Sequence, residues 1–183
     1  MKSQVDVQCV SEDGGVPDDS LLQCWAKAAV EHAFDRAAQL SIRVVDVEEG
    51  LDLNESYRRG EGATNVLAFV FEERERLDPP LLGDVVICAP IVRSEANEQG
   101  KSMHAHFAHM VVHGVLHLLG HDHQREAQAQ IMEVAERTVL AQLGFTDPYL
   151  DRDGERDRHH DGDRHREDVE QTDPQSRAAD ARP

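Results

Sequence analysis

TNVLAFVF, residues 64–71, and LLGDVVICA, residues 81–89, are separated by a stretch that holds Pro79 and Pro80, and both are apolar enough to be central strands. Outward from this pair the pattern alternates. Toward the N-terminus, LDLNESYR (51–58) suits a short helix that Gly60 and Gly62 break, and SIRVVDV (41–47) reads as a strand rich in β-branched residues. An amphipathic helix is expected from about Leu21 to Leu40, with Asp18, Asp19 and Ser20 after Pro17 supplying capping side chains. Val5, Val7 and Cys9 alternate as in a half-buried strand. Toward the C-terminus, helices are expected from about Ile91 to Glu98, from His104 to Leu119, and from about Gln124 to Leu143, where Gly144 closes the last. Strands interleaved with helices predict an α/β (α+β) fold, a single mixed sheet of about four strands with helices packed on it.

The chain has 183 residues, the size of one domain with a real core. That domain is expected over residues 1–150. From Asp151 onward Val169 is the only large aliphatic side chain, so residues 151–183 read as a disordered charged tail, with His159, His160 and His165 as solvated bystanders. Cys9, Cys24 and Cys88 stand far apart without a C-x-x-C pair, which argues against a disulfide framework or a thiolate zinc site; they read as buried small apolar residues. The N-terminal MKSQVDVQCV lacks the long apolar stretch of a signal peptide, and no segment is apolar over the roughly 20 residues of a membrane span. A cytoplasmic location is the expectation, with no membrane partner.

The net charge of −17 excludes a generally basic nucleic-acid surface. The tail holds eleven acidic residues against seven arginines, so most of the negative charge lies on residues 1–150. Any RNA contact is therefore expected to come from a local cluster of arginines and from a metal, while the remaining surface repels non-specific polyanions.

The chemistry is concentrated in HGVLHLLGHDH, residues 113–123. Positions four apart on a helix lie on one face, so His113 and His117 can present imidazole nitrogens to one ion. Gly120, with no Cβ, can adopt a left-handed conformation, end the helix and turn the chain so that His123 becomes a third ligand. Three neutral imidazoles leave the fourth position of one tetrahedral Zn2+ for water, the layout of a catalytic site. The spacing H-x-x-x-H-x-x-G-x-x-H has the ligand offsets of metzincin peptidases, which makes this a zincin-like helix. Gly114 stands where those peptidases carry their general-base Glu, which argues against peptide hydrolysis.

The segment AHMVVHGVLHLLGHDH (108–123), with LNESYRRGEGATNVLAF (53–69) and LLGDVVIC (81–88), resembles the YbeY endoribonuclease family of bacterial rRNA maturation factors over about residues 41–147. The resemblance implies a zinc-dependent hydrolase cutting single-stranded ribosomal RNA, with a role in maturing the 3′ end of 16S rRNA and in ribosome quality control. Zinc-bound water attacking a phosphodiester is the chemistry so implied. The partners so implied are the small ribosomal subunit and its assembly factors, not DNA. By position, His113, His117 and His123 resemble the family's metal ligands and Arg58 its arginine implicated in activity. After its Tyr-Arg the family usually has a Gly-Lys-Asp-type turn and a Pro before Thr-Asn. Here the turn is Arg59, Gly60, Glu61, Gly62 and Ala63, which is expected to be less basic and more flexible, with Arg59 restoring part of the charge.

Other polar residues carry competing readings. Asp122 either orients a ligand or caps the turn. His109 shares the ligand face, yet three consecutive helical ligands would strain a tetrahedral site; with His104, His106 and His121 it is read as structural or solvated. Thr64 and Asn65 are read as turn-capping rather than substrate-binding. Three alternatives to the ribonuclease remain: a non-catalytic ribosome-assembly factor with a structural zinc, a peptidase or other zincin-like metallohydrolase, and an interaction protein acting through residues 151–183.

Overall fold

The computed structural model describes residues 2–58, 62, 64–121 and 125–150, apart from the side chains of Arg58 and Glu75. The chain divides into two units, Met1–Pro148 and Tyr149–Pro183. Only Tyr149 and Leu150 of the second are described, so the expectation of a disordered tail lies outside the described residues.

Among the described residues the first unit has four strands, β1 (Gln4–Cys9), β2 (Gln39–Val45), β3 (Val66–Val70) and β4 (Leu81–Cys88). They form one mixed sheet in the order β1-β2-β4-β3, with β1, β2 and β4 parallel and β3 antiparallel to β4. Five helices accompany it: α1 (Asp19–Ala33), α2 (Val47–Leu53), α3 (Ala89–Glu98), α4 (Met103–Leu118) and α5 (Glu126–Gln142). A π-helical turn, Asn54–Arg58, continues α2, and a 3-10 turn spans Arg74–Arg76. This is the α/β arrangement expected from the alternation of apolar runs. None of the described helices is long and apolar enough to cross a membrane.

Several expectations are corrected. The run 64–71 does not form a central strand: β3 pairs only with β4 and lies at the sheet edge. Its apolar character comes from cover on both faces instead, Val66 and Ala68 meeting the main core while Leu67 and Phe69 join a smaller cluster with Val45, Val86 and Cys88. Helix α1 stops at Ala33, well before Leu40. Phe34 is already extended, and the Ala38 carbonyl accepts a hydrogen bond from Gln4 N at 2.8 Å, so tertiary pairing overrides helix propensity across 34–38. Asp18 takes the N-cap position of α1 without a side-chain capping bond. Of the cysteines only Cys88 is buried; Cys9 ends the edge strand β1, and Cys24 lies off the buried face of α1 formed by Leu22, Trp25, Ala26, Ala29 and Val30.

The main core lies between one sheet face, built by Leu40, Ile42, Val44, Val66, Val85 and Ile87, and the helices α1, α4 and α5. Helix α4 is its centre, touching β3, β4, α1, α3 and α5. Its start is fixed by Ser102, whose hydroxyl accepts from Ala105 N at 3.1 Å. Close approach to the sheet depends on Gly114. A Cβ there would lie 2.5 Å from Val85 Cγ1 and 3.3 Å from Val66 Cγ2, so the position that carries Glu in metzincins faces a strand and has no room for a side chain.

Gly114→Ala is accordingly expected to destabilise the protein. The helix-propensity gain is about 1 kcal/mol, whereas overpacking against stiff, β-branched Val85 costs about 1–3 kcal/mol. A lowered midpoint in urea unfolding, a net loss of up to about 2 kcal/mol, is the expected readout; a raised midpoint would contradict the packing argument.

Candidate metal centre

The buried helix α4 carries His106, His109, His113 and His117 at spacings of three, four and four, so the rings follow one another along one face. Successive centroids lie 6.3, 6.2 and 4.6 Å apart. At the C-terminal end of this row the Nε2 atoms of His113 and His117 are 3.1 Å from each other. An ion bound at about 2.1 Å to each of two nitrogens in a tetrahedral site holds them roughly 3.4 Å apart, so a small opening of this pair fits a shared cation.

Just beyond His117 the helix ends as the sequence suggests. Gly120 has φ 93°, Gly120 N donates to His117 O and His121 N donates to Leu116 O, both at 3.0 Å. These two bonds, closed by a left-handed glycine, are a Schellman stop and turn the chain sharply. His123 and Asp122 lie outside the described residues, as does the side chain of Arg58. The backbone of Arg58 ends the π-helical turn, and buried Asn54 donates from Nδ2 to Gly62 O at 2.6 Å across the loop that follows.

Behind the rings stand two carboxylates from different helices. Glu136 of α5 is 1% exposed; its Oε1 is 2.7 Å from His113 Nδ1 and its Oε2 is 3.4 Å from His109 Nε2. Burial alone would raise the Glu136 pKa, but hydrogen bonds from His109 and His113 and their charges outweigh it and hold the carboxyl well below the usual range. Burial pushes the His109 imidazole down, against the opposing pull of Glu136. His109, His113 and Glu136 offer ligand atoms within 4.8 Å of one another and can hold a metal ion. The two nitrogens of His113 thus face different neighbours, Nδ1 the carboxylate and Nε2 the His117 ring.

The second carboxylate, Glu95 of α3, accepts from His106 Nε2 at 2.7 Å and from Asn65 Nδ2 at 3.0 and 3.1 Å. Val66 N in turn donates to Asn65 Oδ1 at 2.7 Å. Asn65 therefore ties the start of β3 to α3, a structural role wider than turn-capping. His106 is buried and structural, as read from sequence, whereas His104 is exposed and sits edge-on to Trp25. His109 is not a bystander, since it belongs to the metal-competent group.

Glu136 escaped the sequence reading. Its trace was there: an acid at the centre of the apolar stripe Met132, Ala135, Val139 and Leu140, where a charge is costly unless paired.

The fold and this cluster define an α/β protein with a histidine helix able to hold a metal. The profile of the family described as Endoribonuclease YbeY matches residues 10–144. Relatives named Endoribonuclease YbeY come from Pseudomonas putida (strain W619) and Stutzerimonas stutzeri (strain A1501). The first is 50% identical over 140 residues, 76% of this chain and 88% of its own. The second is 49% identical over 149 residues, 81% and 92% of the two chains. The chain belongs to the endoribonuclease YbeY family. The solution structure of TM1509 from Thermotoga maritima shares the fold, with a TM-score of 0.50 at 20% identity, covering 88% of this chain and 99% of that one.

The Glu95 pKa is lowered chiefly by its hydrogen bond from His106, against desolvation by burial, with Asn65 adding to the effect. A depressed carboxylate stabilises the fold fully above its unfolded value, near 4.5, and loses that contribution as pH falls through the lower folded value. Glu95→Gln should therefore lose stability at pH 7 and show a flatter decline than wild type below about pH 4.5 in denaturant melts across a pH series. Parallel curves for the two proteins would contradict the assignment.

Proposed function

We propose that this protein is a single-strand-specific, metal-dependent endoribonuclease of the cytoplasm, with one Zn2+ held by His113, His117 and His123. Its proposed substrate is ribosomal RNA, in maturation of the 16S 3′ end and ribosome quality control, on or near the small subunit with its assembly factors. The observation that carries the reading is the 3.1 Å approach of the His113 and His117 Nε2 atoms on a helix that Gly120 terminates, in a chain half identical to relatives named as endoribonucleases. The glycine stop turns the chain just ahead of His123.

An ion with three imidazole ligands and an open position supplies a Lewis acid for phosphoryl oxygen and lowers the pKa of a water molecule to about 7. The protein's own groups do the rest. Arg58 lies within the segment that the Asn54–Gly62 hydrogen bond closes, and its planar guanidinium is suited to hold a phosphate by two parallel hydrogen bonds. A metal and one arginine provide local positive charge on an otherwise acidic body, which favours a strand seated at the site over polyanions bound elsewhere. The absence of a side chain at position 114 removes the peptidase base, so phosphodiester rather than peptide hydrolysis is the proposed reaction.

Purified protein should contain about one zinc per chain, and it should cut unstructured RNA but not casein, with activity lost to chelator and restored by zinc. His117→Ala should remove more than about 100-fold of the activity, because losing a ligand costs more than the 10–100-fold of an outer-sphere change. Arg58→Ala should leave the metal content intact and lower kcat/KM by about 10–100-fold, the worth of a charge-assisted hydrogen bond. Undiminished RNA cleavage by His117→Ala, or cleavage indifferent to chelator, would sink the reading.

A further inference from the structure

Helix α5 contributes one acid to the interior of the protein, and that acid meets the histidine row from behind. Glu136 is 1% exposed and both of its oxygens are engaged by imidazoles, Oε1 with His113 Nδ1 at 2.7 Å and Oε2 with His109 Nε2 at 3.4 Å. An ionised carboxylate can only accept hydrogen bonds, so its short contact to His113 requires the proton of that ring to sit on Nδ1. The other nitrogen, Nε2, is then left with its lone pair outward, on the side where His117 Nε2 lies 3.1 Å away. Rotation of the His113 ring is opposed by the same bond, since a flip would put Cδ2 in place of Nδ1 and leave the carboxylate without that N–H donor.

We propose that Glu136 is a positioning residue for the metal centre: it locks His113 in the Nδ1–H tautomer and aims Nε2 at the ion, while His109 anchors the second carboxylate oxygen. This rests on the assignment of His113 and His117 as ligands made above. It also separates two uses of the same cluster. Glu136, His109 and His113 are close enough to hold an ion themselves, but an ion there would have to displace the 2.7 Å contact between Glu136 and His113 Nδ1 and would leave the His113–His117 pair without a cation. In the arrangement proposed, the carboxylate acts on the ion through the imidazole, adding negative charge behind the ligand and making Nε2 a better donor.

The test uses full-length protein and two readouts besides activity: zinc affinity, by competition with a chromophoric chelator, and the tautomer of His113 in the metal-free protein, by 15N imidazole NMR. Wild type should show His113 protonated on Nδ1. Glu136→Gln still offers an oxygen to Nδ1–H, so it should keep that tautomer and one zinc per chain while binding zinc about 10–100-fold more weakly. Glu136→Leu, checked for folding by thermal melting, should lose the tautomer preference and weaken zinc further. If both Glu136 variants bind zinc as wild type does while His117→Ala loses it, the positioning role is wrong and the ligand assignment stands. If His117→Ala binds zinc normally while His109→Ala and Glu136→Gln lose it, the ion lies among His109, His113 and Glu136, and both the ligand assignment and the positioning role fail. A His113 ring protonated on Nε2 in wild type also overturns the proposal.

Discussion

The bare backbone at Gly114 lets helix α4 lie against Val85 and Val66, and most of the structure follows from that approach. A helix drawn this close to the sheet is covered from other sides as well, by α1, α3 and α5, so His106 is buried and His109, His113 and His117 are partly buried. Imidazoles in such a place need protein partners, because a buried polar ring without one costs free energy. Glu95 and Glu136 supply them, each delivered by a separate helix. The close packing and the polar network are therefore one arrangement, and Glu136 would not be tolerable at its depth without the rings it meets.

The two carboxylates divide the row between them. Glu95 binds the N-terminal part of it, joining His106 to Asn65 and so tying α4, α3 and the start of β3 into one rigid corner. Glu136 backs the C-terminal part, where the Nε2 atoms of His113 and His117 converge and where Gly120 bends the chain. Burial opposes ionisation at both acids, and in both the hydrogen bonds from histidine win, so negative charge is kept behind the histidine row, buried at Glu136 and partly exposed at Glu95. Fixed negative charge behind the rings favours a cation in front of them.

The element types were legible because hydrophobic period and composition express them locally: β-branched residues in 41–47, the apolar run 81–89, and histidines four apart on α4 needed no tertiary information. What sequence missed has a common cause. The rank of TNVLAFVF as edge rather than central strand depends on which neighbours pair with it, and a strand covered on both faces looks equally apolar in either position. Residues 34–38 have helix-compatible composition, yet the Gln4 to Ala38 hydrogen bond draws them into the strand register. Exposure of Cys9 and Cys24 depends on the sheet edge and the outer face of α1, which the spacing of cysteines does not encode.

The site divides the same way. The shared face of His113 and His117, the helix stop at Gly120 and the absence of Glu at 114 are properties of adjacent residues governed by one helix's geometry, and the sequence by itself determined them. Tertiary structure alone decided that Gly114 faces a strand, that Asn65 and His106 share Glu95, and that Glu136, twenty-three residues after His113, stands behind its ring. These are contacts between elements, set by how helices pack on a sheet, and packing direction is not written in the period of any one segment.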